Sequence, residues 1–342
     1  MNKLFPVLGA LASATLFFVA AVLVVFNSPQ TTIVSSLISR SSWLESGLSH
    51  GSPAPLPELN RSQIRQIPGN STEVSDADGA TRGCPEMPFD LGGKKPIKAS
   101  IAVKDVEREL VGVRAGGSWW PPHCVPKLRL AIIVAFRNRE PMLGPFLYRM
   151  HPFLQRQLLN YTVYLVEQTP EGSFNQAKLY NVGFVRARSE GPWDCYVFHD
   201  VDCLPENDRN LYFCTEQPRH LGVSRSKGGY RFSRKYLGCA NALTRWQVER
   251  VNGWSNRYFG WGAEDDDMHR RILAAGMSVI RMDPEVATYT TLRHPQATRN
   301  PDKRAILRQA QKNYKFDGLN TLNYSLVLTA RRPLYTLLLV RV

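Results

Sequence analysis

The strongest constraint on the fold is an alternation of short apolar runs and helical patterns in the middle of the chain. Leu128 to Ala135 is an apolar run suited to a buried strand, and Met142 to Leu159 then places apolar residues at helical spacing. Tyr161 to Val166 is a second strand-like run, and a helical segment from Phe174 to about Ala187 leads into a third run that begins at Cys195. The order strand, helix, strand, helix, strand predicts an α/β fold with a parallel sheet.

Polar side chains follow these apolar runs at the points where the strands should end. Arg137 and Arg139 follow the first run, and Asp200 and Asp202 follow the third. Parallel sheets bind ligands at the carboxyl ends of their strands, so these residues predict one site built from separate segments. Guanidiniums suit phosphate oxygens, Phe136 beside them suits a nucleobase, and a carboxylate pair suits Mg²⁺ or Mn²⁺. Taken singly, surface arginines and turn aspartates are ordinary alternatives.

The stretch Gly260-Trp-Gly-Ala-Glu-Asp-Asp-Asp267 is the most unusual in the chain. Its four acids precede a predicted helix from Met268 to Ala275. Their negative charge would stabilise the N-terminus of that helix. That reading leaves Trp261 unexplained. An indole between two glycines is suited to closing over a flat sugar face, and a nearby carboxylate can accept a hydroxyl proton. The combination predicts a carbohydrate site, to which His294 is added as a candidate ligand, although a lone histidine is more often structural.

The first 83 residues have a different character from the rest. Leu4 to Phe26 is an uncharged apolar run long enough to span a bilayer, and it predicts an uncleaved membrane anchor behind a short tail of residues 1–3. A cleaved signal peptide is the alternative. Residues 27–83 are rich in Ser and Pro and predict an extended stem. Residues 84–342 are expected to form one domain, on the lumenal side of the membrane.

The remaining composition fits a lumenal protein. Its cysteines show no CxxC pair, so disulfides are favoured over zinc and their pairing stays open: Cys84, Cys124, Cys195, Cys203, Cys214 and Cys239. Asn-x-Ser/Thr triplets begin at Asn60, Asn70, Asn160 and Asn323. The net charge of +14 raises nucleic acid as a partner, but the basic residues are dispersed and interleaved with acids. We expect no nucleic-acid binding.

Taken in order, these segments resemble the β-1,4-galactosyltransferase family, glycosyltransferase family 7, whose members are type II Golgi enzymes. The resemblance covers essentially all of residues 84–342. It rests on Val134-Ala-Phe-Arg-Asn-Arg139, Phe174-Asn-Gln-Ala-Lys-Leu-Tyr-Asn-Val-Gly-Phe184, Asp200-Val-Asp202, Gln217-Pro-Arg-His220, Gly260 to Asp267 and Gly318-Leu-Asn320. It implies a Rossmann-like domain of the GT-A type behind a transmembrane helix at residues 4–26 and a flexible stem, held in the Golgi membrane as a single-pass type II protein.

The same resemblance implies roles for individual residues. Phe136, Arg137, Arg139 and Phe174 would line the UDP pocket, with Asp200 near the ribose and metal. Asp202 and His294 would coordinate Mn²⁺. Asp265 would be the general base, Glu264 would hold sugar hydroxyls and Trp261 would close over the site, giving an inverting transfer from UDP-galactose. The family pattern also pairs Cys84 with Cys124 and Cys195 with Cys214, and leaves Cys203 and Cys239 as free thiols.

Some positions depart from the family pattern or leave alternatives open. Ala263 replaces a glycine, and Thr291 replaces a methionine three residues before His294, which brings Mg²⁺ into consideration beside Mn²⁺. The aromatic side chain of Tyr236 resembles the residue at this position in galactose-using members. The alternatives are an N-acetylgalactosaminyltransferase and an inactive lectin-like relative.

The acceptor sugar and its carrier stay open at this level. The Thr-x-Arg-His pattern resembles the xylose-using branch, and Val134 to Arg139 resembles the N-acetylglucosamine-using branches. The segment with Lys303, Arg304 and Leu307 is less apolar than an acetamide pocket. The carrier is a glycoprotein, a glycolipid or a proteoglycan, and a homo-oligomer stays open.

Overall fold

The computed structural model describes residues 82–89, 91–234, 236–295 and 297–342. The predicted tail, the anchor at residues 4–26 and nearly all of the stem lie outside the described residues. Within the described ranges, no helix combines the length and apolar character needed to cross a membrane.

The alternating strands and helices predicted from the sequence are all present. A short helix α1 (Val103–Glu109) and strand β1 (Ser118–Trp119) come first. They are followed by β2 (Arg129–Phe136), α2 (Glu140–Arg156), β3 (Asn160–Gln168), α3 (Gln176–Glu190) and β4 (Cys195–Asp200). Helix α3 begins where the Asn175 side chain accepts a hydrogen bond from the Lys178 amide, an N-cap that the sequence Phe174-Asn-Gln supplies.

The second half of the chain is built from shorter elements. Its strands are β5 (Cys203–Pro205), β6 (Arg219–His220), β7 (Ser224–Arg225), β8 (Ala240–Leu243), β9 (Ile280–Arg281), β10 (Thr288–Thr291), β11 (Ser325–Arg331) and β12 (Thr336–Arg341). Its helices are α4 (Arg245–Arg250), α5 (Glu264–Ala274), α6 (Lys303–Arg308) and α7 (Ala310–Asn313), with 3₁₀ turns at Ser226–Gly228 and Leu319–Thr321.

Two sheets are formed by the described strands. The large sheet has the order β11-β12-β3-β2-β4-β8-β6-β9, with β1 paired to β3. Strands β12, β3, β2 and β4 are parallel neighbours, which confirms the predicted parallel sheet, and β8 runs antiparallel to β4. The small sheet has the order β5-β10-β7. Because β5 begins only three residues after the end of β4, the two sheets meet at Asp200–Asp202.

The central strands of the large sheet, β2, β3 and β4, are buried on both faces, and this fixes the position of the site. On β2, Ile132 and Val134 pack against α2 through Phe146, whereas Ile133 packs on the opposite face beneath α3 through Val182. A strand with both faces covered has an almost continuously apolar sequence, and β2 has such a sequence. The polar residues that follow β2 and β4 are therefore confined to the carboxyl edge of the sheet.

The disulfides agree with the family pattern at two places and depart from it at the third. Cys84–Cys124 and Cys195–Cys214 are confirmed. The expectation that Cys203 and Cys239 are free thiols is wrong, because these two residues form a disulfide. The fold brings the start of β5 against the residue before β8, with a Cα–Cα distance of 5.6 Å that suits a disulfide.

Candidate active site

A cavity of about 410 Å³ opens at the carboxyl ends of β2 and β4, between the large and small sheets. It is lined by almost every residue that the sequence proposed for the site: Arg137, Arg139, Phe174, Asp200, Asp202, Tyr236, Trp261, Glu264, Asp265 and His294. Phe136 is the exception. Its side chain is only 3% exposed and packs in the core on the α2 side of the sheet, so the structure does not bring it into the cavity.

Asp200 is held in place from three directions. One carboxylate oxygen, Oδ1, accepts hydrogen bonds from the Tyr180 hydroxyl at 2.7 Å and from Gln176 Nε2 at 2.8 Å. The other, Oδ2, accepts the Cys239 amide at 3.2 Å. Burial and the neighbouring charge of Asp202 raise the pKa of Asp200 to about 7. A nearby cation would favour its ionised form.

Asp202 and His294 meet across the junction of the two sheets. Asp202 Oδ2 lies 3.0 Å from His294 Nε2, and His294 Nδ1 lies 2.8 Å from the Pro295 carbonyl oxygen. The hydrogen bond to Asp202 raises the pKa of His294. Because Nδ1 donates to a backbone carbonyl, Nε2 is the ring nitrogen directed at the carboxylate, as in the outer hydrogen bonds that orient histidine ligands of metals.

These side chains fit a divalent metal ion. A carboxylate oxygen and an imidazole nitrogen are ligands that Mn²⁺ accepts, and the buried Thr291 hydroxyl beside them has no hydrogen-bond partner among the described residues. Cys203 Sγ also lies close to the carboxylates of Asp200 and Asp202. It is not a ligand, because it is bonded to Cys239 and cannot become a thiolate.

The acids of the Gly260–Asp267 stretch have different surroundings. Glu264 begins α5 and accepts the Gly262 amide at 3.1 Å, and Asp265 beside it lines the cavity. Asp266 is exposed. Asp267 is buried in an ion pair with Arg271. Burial, reinforced by the charge of Glu264, raises the pKa of Asp265 well above its usual range, which suits a carboxylate that accepts a proton.

Gly238 allows Tyr236 and Asp265 to approach each other. A Cβ atom at position 238 would lie 2.2 Å from the Tyr236 hydroxyl and 2.4 Å from Asp265 Oδ2, so only glycine fits. The Arg225 guanidinium lies 4.0 Å from the centre of the Tyr236 ring. Arg225 and Lys227 line the cavity but were missed in the sequence, because neither a period nor a motif sets them apart from other basic residues.

The arginines after β2 face the cavity from the large sheet. Arg137 donates to the Gly172 carbonyl at 3.0 Å and lies 5.2 Å from the Phe174 ring centre. Arg139 donates to the Pro295 carbonyl at 3.2 Å, next to His294. With Arg225 and Lys227 on the other side, the cavity presents cationic side chains from both sheets beside its carboxylates.

Trp261 lies at the rim with its backbone fixed and its ring accessible. Its amide donates to the Thr298 carbonyl at 2.7 Å, and its carbonyl accepts the Asn300 amide at 3.1 Å. The side chain is 45% exposed, and Lys303 Nζ lies 4.3 Å from the ring centre. The exposed indole therefore presents an apolar, amphipathic face at the mouth of a polar cavity.

Comparison with known proteins identifies the family. Residues 84–215 match the N-terminal region of glycosyl transferase group 7, and residues 219–295 match the N-terminal domain of galactosyltransferase. Over 271 residues, 78% of each chain, the protein is 42% identical to human beta-1,4-galactosyltransferase 4. The chain belongs to the β-1,4-galactosyltransferase family. Its similarity to rat beta-1,4-galactosyltransferase 3 is 39% identity over 300 residues, or 82% of this chain and 75% of that one.

Solved structures of the β-1,4-galactosyltransferase family share the fold. The catalytic domain of Drosophila beta1,4galactosyltransferase 7 in complex with xylobiose superposes with a TM-score of 0.54 at 25% identity, over 63% of this chain and 93% of that one. A mutant of the same enzyme in complex with manganese, UDP-Gal and xylobiose gives a TM-score of 0.53 at 26% identity, with the same coverage. The protein is therefore a glycosyltransferase with a GT-A-like α/β fold.

Proposed function

We propose that this enzyme transfers galactose from UDP-galactose to a hydroxyl group of a terminal sugar, with inversion at the anomeric carbon and with a divalent metal ion held by Asp202 and His294. The observation that carries the proposal is the meeting of the Asp202–His294 pair, Asp265 and four cationic side chains in one cavity. Family relatives are named beta-1,4-galactosyltransferases, and a related enzyme has been solved with manganese and UDP-Gal.

The donor is positioned by groups from both sheets. Arg137 and Arg139 follow β2 of the large sheet, and Arg225 and Lys227 lie at the end of β7 and in the 3₁₀ turn after it. All four are placed to contact the phosphates, and Phe174 offers an aromatic face. Asp202 and His294 would hold the metal, and Asp200, anchored by Tyr180, would support them. When bound, the metal ion supplies positive charge that stabilises the departing diphosphate.

Asp265 is the group that accepts the acceptor's proton. As the acceptor oxygen forms its bond to the galactose anomeric carbon, the bond from that carbon to the UDP oxygen breaks, and the hydroxyl proton passes to the Asp265 carboxylate. Attack from the face opposite the leaving group converts an α-linked donor into a β-linked product. Glu264, fixed by the Gly262 amide, is placed to accept hydrogen bonds from sugar hydroxyls.

Tyr236 supports galactose as the donor sugar. Its ring is held between the Arg225 guanidinium at 4.0 Å and the His220 ring at 5.7 Å, and it fills space that an acetamide group would need. Replacing Tyr236 with Leu should therefore widen donor use to UDP-N-acetylgalactosamine. A variant that gains no transfer from that donor would contradict this assignment.

The cellular setting belongs to the proposal as well. The apolar run at residues 4–26 would anchor the enzyme in the Golgi membrane with the catalytic domain in the lumen, and the three disulfides of residues 84–239 suit an oxidising compartment. The acceptor would be the terminal sugar of a glycoprotein, glycolipid or proteoglycan.

The test is a transfer assay with the soluble domain, residues 84–342. UDP-galactose with Mn²⁺ or Mg²⁺ is offered to matched xyloside and N-acetylglucosaminide acceptors, and UDP release and product mass are recorded. We expect metal-dependent product with one of the acceptors, whose identity then assigns the enzyme to proteoglycan linkers or to glycan antennae. A folded domain that binds UDP but forms no product with either acceptor would support the lectin-like alternative or an acceptor other than these two.

A further inference from the structure

We propose that the Cys203–Cys239 disulfide is a positioning element for the metal ligands, and that its removal weakens Mn²⁺ binding. The inference rests on the proposed metal-dependent transfer. It concerns a covalent bond that the family pattern does not include, and that bond lies next to the residues on which the chemistry depends.

The disulfide joins the two sheets beside the cavity. Cys203 is the first residue of β5 in the small sheet and directly follows Asp202, and Cys239 directly precedes β8 of the large sheet. Between β4 and β5, the chain passes from one sheet to the other through Val201 and Asp202. Both cysteines are 2% exposed, so the bond is packed in the core and does not lie in solvent.

On the large-sheet side, Cys239 contacts Asp200 twice. The Asp200 amide donates to the Cys239 carbonyl at 2.8 Å, and the Cys239 amide donates to Asp200 Oδ2 at 3.2 Å. Cys239 also has a φ of +73°, a left-handed conformation that is unfavourable for a residue other than glycine. Such a conformation persists where the surrounding contacts hold it, and the disulfide is one of these contacts.

On the small-sheet side, Cys203 is linked to both proposed ligands. It follows Asp202 in the chain and pairs with Thr291 in the β5–β10 ladder. The next residue, Leu292, donates its amide to the Asp202 carbonyl at 2.8 Å, and His294 lies two positions further on. A shift of Cys203 relative to Cys239 would therefore move Asp202 and His294 relative to Asp200.

Two roles for this bond make different predictions. A disulfide that acts only by restricting the unfolded chain changes the free energy of unfolding and leaves metal affinity unchanged. A bond that orients the ligands changes metal affinity, and outer groups that orient ligands typically alter it by about 10–100-fold. Cys239 is hydrogen-bonded to Asp200, and Cys203 adjoins Asp202 and pairs with Thr291. These contacts favour the second role.

The experiment compares two disulfide deletions of similar loop length. Cys203→Ala with Cys239→Ala removes a bond of sequence separation 36, and Cys84→Ala with Cys124→Ala removes one of separation 40 that does not line the cavity. Their effects on unfolded-chain entropy should be nearly equal. Mn²⁺ affinity is measured by electron paramagnetic resonance of the free ion, at a temperature where circular dichroism shows both proteins folded.

We expect a loss of Mn²⁺ affinity of about tenfold or more for the Cys203/Cys239 variant, and no loss for the Cys84/Cys124 variant. In turnover, the KM for Mn²⁺ should rise while kcat at saturating Mn²⁺ is largely kept. If the first variant does not fold, Cys203→Ala with Cys239→Gly serves instead, because glycine adopts a φ of +73° without strain.

Equal Mn²⁺ affinity in the unaltered protein and in both variants would overturn the inference, as would an equal loss in both variants. Absence of Mn²⁺ binding by the unaltered protein is a separate outcome. It would overturn the proposed metal site itself, and with it the function proposed above.

A second, independent observation concerns the edge of the large sheet. Strand β11 is the terminal strand in the sheet order, and its apolar side chains Leu326, Val327 and Leu328 are 39%, 51% and 44% exposed. Exposed apolar edge strands promote pairing between molecules. Asn323, which begins an Asn-Tyr-Ser triplet, is exposed in the segment that leads into this strand.

We infer that Asn323 carries an N-linked glycan that covers the β11 edge. A glycan there would be bulky and polar directly beside the exposed apolar residues. Asn160 offers a contrast within the described residues. It is the first residue of β3, its amide donates to the Leu128 carbonyl at 3.3 Å, and the following Tyr161 and Thr162 are buried. The inference depends on the proposed lumenal location but not on catalysis.

The test is expression of the full chain in a eukaryotic secretory host, with mass spectrometry of peptides after enzymatic deglycosylation in H₂¹⁸O. We expect the ¹⁸O mark of a removed glycan at Asn323. Asn323→Gln should lose one glycan and self-associate at concentrations where Asn160→Gln stays dispersed, as measured by light scattering. An unmarked Asn323 would overturn the site, and a glycan whose loss leaves self-association unchanged would overturn its covering role.

Discussion

At the residue scale, the acids of the Gly260–Asp267 stretch differ in their surroundings. Some carboxylates stabilise the fold, and others are placed to take part in the reaction. Asp267 is bound by Arg271 and accepts the Tyr258 hydroxyl at 2.9 Å, so its charge stabilises the fold. Asp266 is exposed, whereas Asp265 lines the cavity. The sequence presents these acids as equivalent neighbours. Only the direction of each side chain from α5 distinguishes them.

Asp265→Asn tests the role of proton acceptor. The amide keeps the shape of the side chain but cannot take the acceptor's proton, so we expect kcat to fall by about 10²–10⁴-fold. The Kd for UDP, measured by calorimetry with Mn²⁺ present, should change little. Asp266→Asn is the matched control and should keep near-normal kcat. Equal losses of UDP binding and turnover in the Asp265 variant would indicate a folding defect and contradict the assignment.

Ala263 is a residue where the chain departs from its family and carries strain. It has a φ of +76° in the turn before α5, at a position where the family pattern has a glycine. A left-handed conformation costs alanine about 1 kcal/mol relative to glycine. We expect Ala263→Gly to stabilise the protein by about that amount in urea unfolding.

The control for this substitution is Ala274→Gly in the same helix. Ala274 is exposed and is the last residue of α5, where a right-handed helical conformation still favours alanine over glycine, so the sign of the effect should be opposite. Destabilisation by both substitutions would show that the turn conformation at Ala263 is not strained.

The positions of site residues could be predicted from the sequence where strand periodicity or the order of motifs determined them. The site residues meet because they follow parallel strands. Side chains alternate between the two faces of a strand, and this explains why Phe136 lies outside the cavity. Phe136 shares its face of β2 with Val134, in the core, whereas Ala135 and Arg137 face the cavity. The Cys203–Cys239 bond could not be predicted, because it depends on the approach of β5 to β8, which no local sequence pattern specifies.

At the element scale, the first half of the domain was predictable and the second half was not. Strands β2, β3 and β4 are long apolar runs separated by helices with clear spacing. Strands β6, β7 and β9 have two residues each, too few for a period to emerge. Strand β12 lies parallel to β3 although the two are remote in sequence, and no local pattern specifies such a pairing.

Gly183 determines how closely α3 approaches the sheet. A Cβ atom there would lie 2.3 Å from Ile133 Cγ2 and 3.0 Å from Val166 Cγ2. Gly183→Ala should therefore push α3 away from the sheet and destabilise the protein by about 1–3 kcal/mol in urea unfolding, although alanine has the higher helix propensity. Helix α3 carries Gln176 and Tyr180, so the hydrogen bonds to Asp200 should loosen as well.

The matched control on the same helix is Ser189→Ala, on the exposed side of α3. It changes helix propensity without touching the sheet and should stay within about 0.5 kcal/mol of the unaltered protein. A stabilised Gly183→Ala variant would mean that the sheet accommodates the extra methyl group.

At the scale of the whole molecule, the proposed active site lies where the large and small sheets meet. The large sheet supplies the arginines and Asp200, and the small sheet supplies Asp202, Arg225 and the strand that leads to His294. Some of the basic residues that give the chain its net charge of +14 therefore line the cavity, together with a cluster of carboxylates. Composition alone suggested an anionic partner but could not locate where it binds.

Stability should depend on pH through histidines that the fold buries in the neutral form. His151 lies in α2 with Nδ1 at 2.9 Å from the Tyr161 hydroxyl and Nε2 at 2.9 Å from the Leu334 carbonyl. Burial lowers its pKa to about 4, against about 6.5 in an unfolded chain. His199 is buried in the same way, and its pKa is also lowered to about 4.

Because the folded-state pKa of His151 is the lower one, the unfolded chain takes up a proton first as the pH falls. The stability from His151 is complete above pH 6.5 and is lost between pH 6.5 and about 4, by roughly 3 kcal/mol. In metal-free urea unfolding, His151→Gln should be less stable at pH 7.5 and should lose less on acidification. The exposed His123→Gln should keep the full pH slope. An unchanged slope in the His151 variant would mean that this imidazole takes up its proton at the same pH in the folded and unfolded chains, which would contradict the lowered pKa.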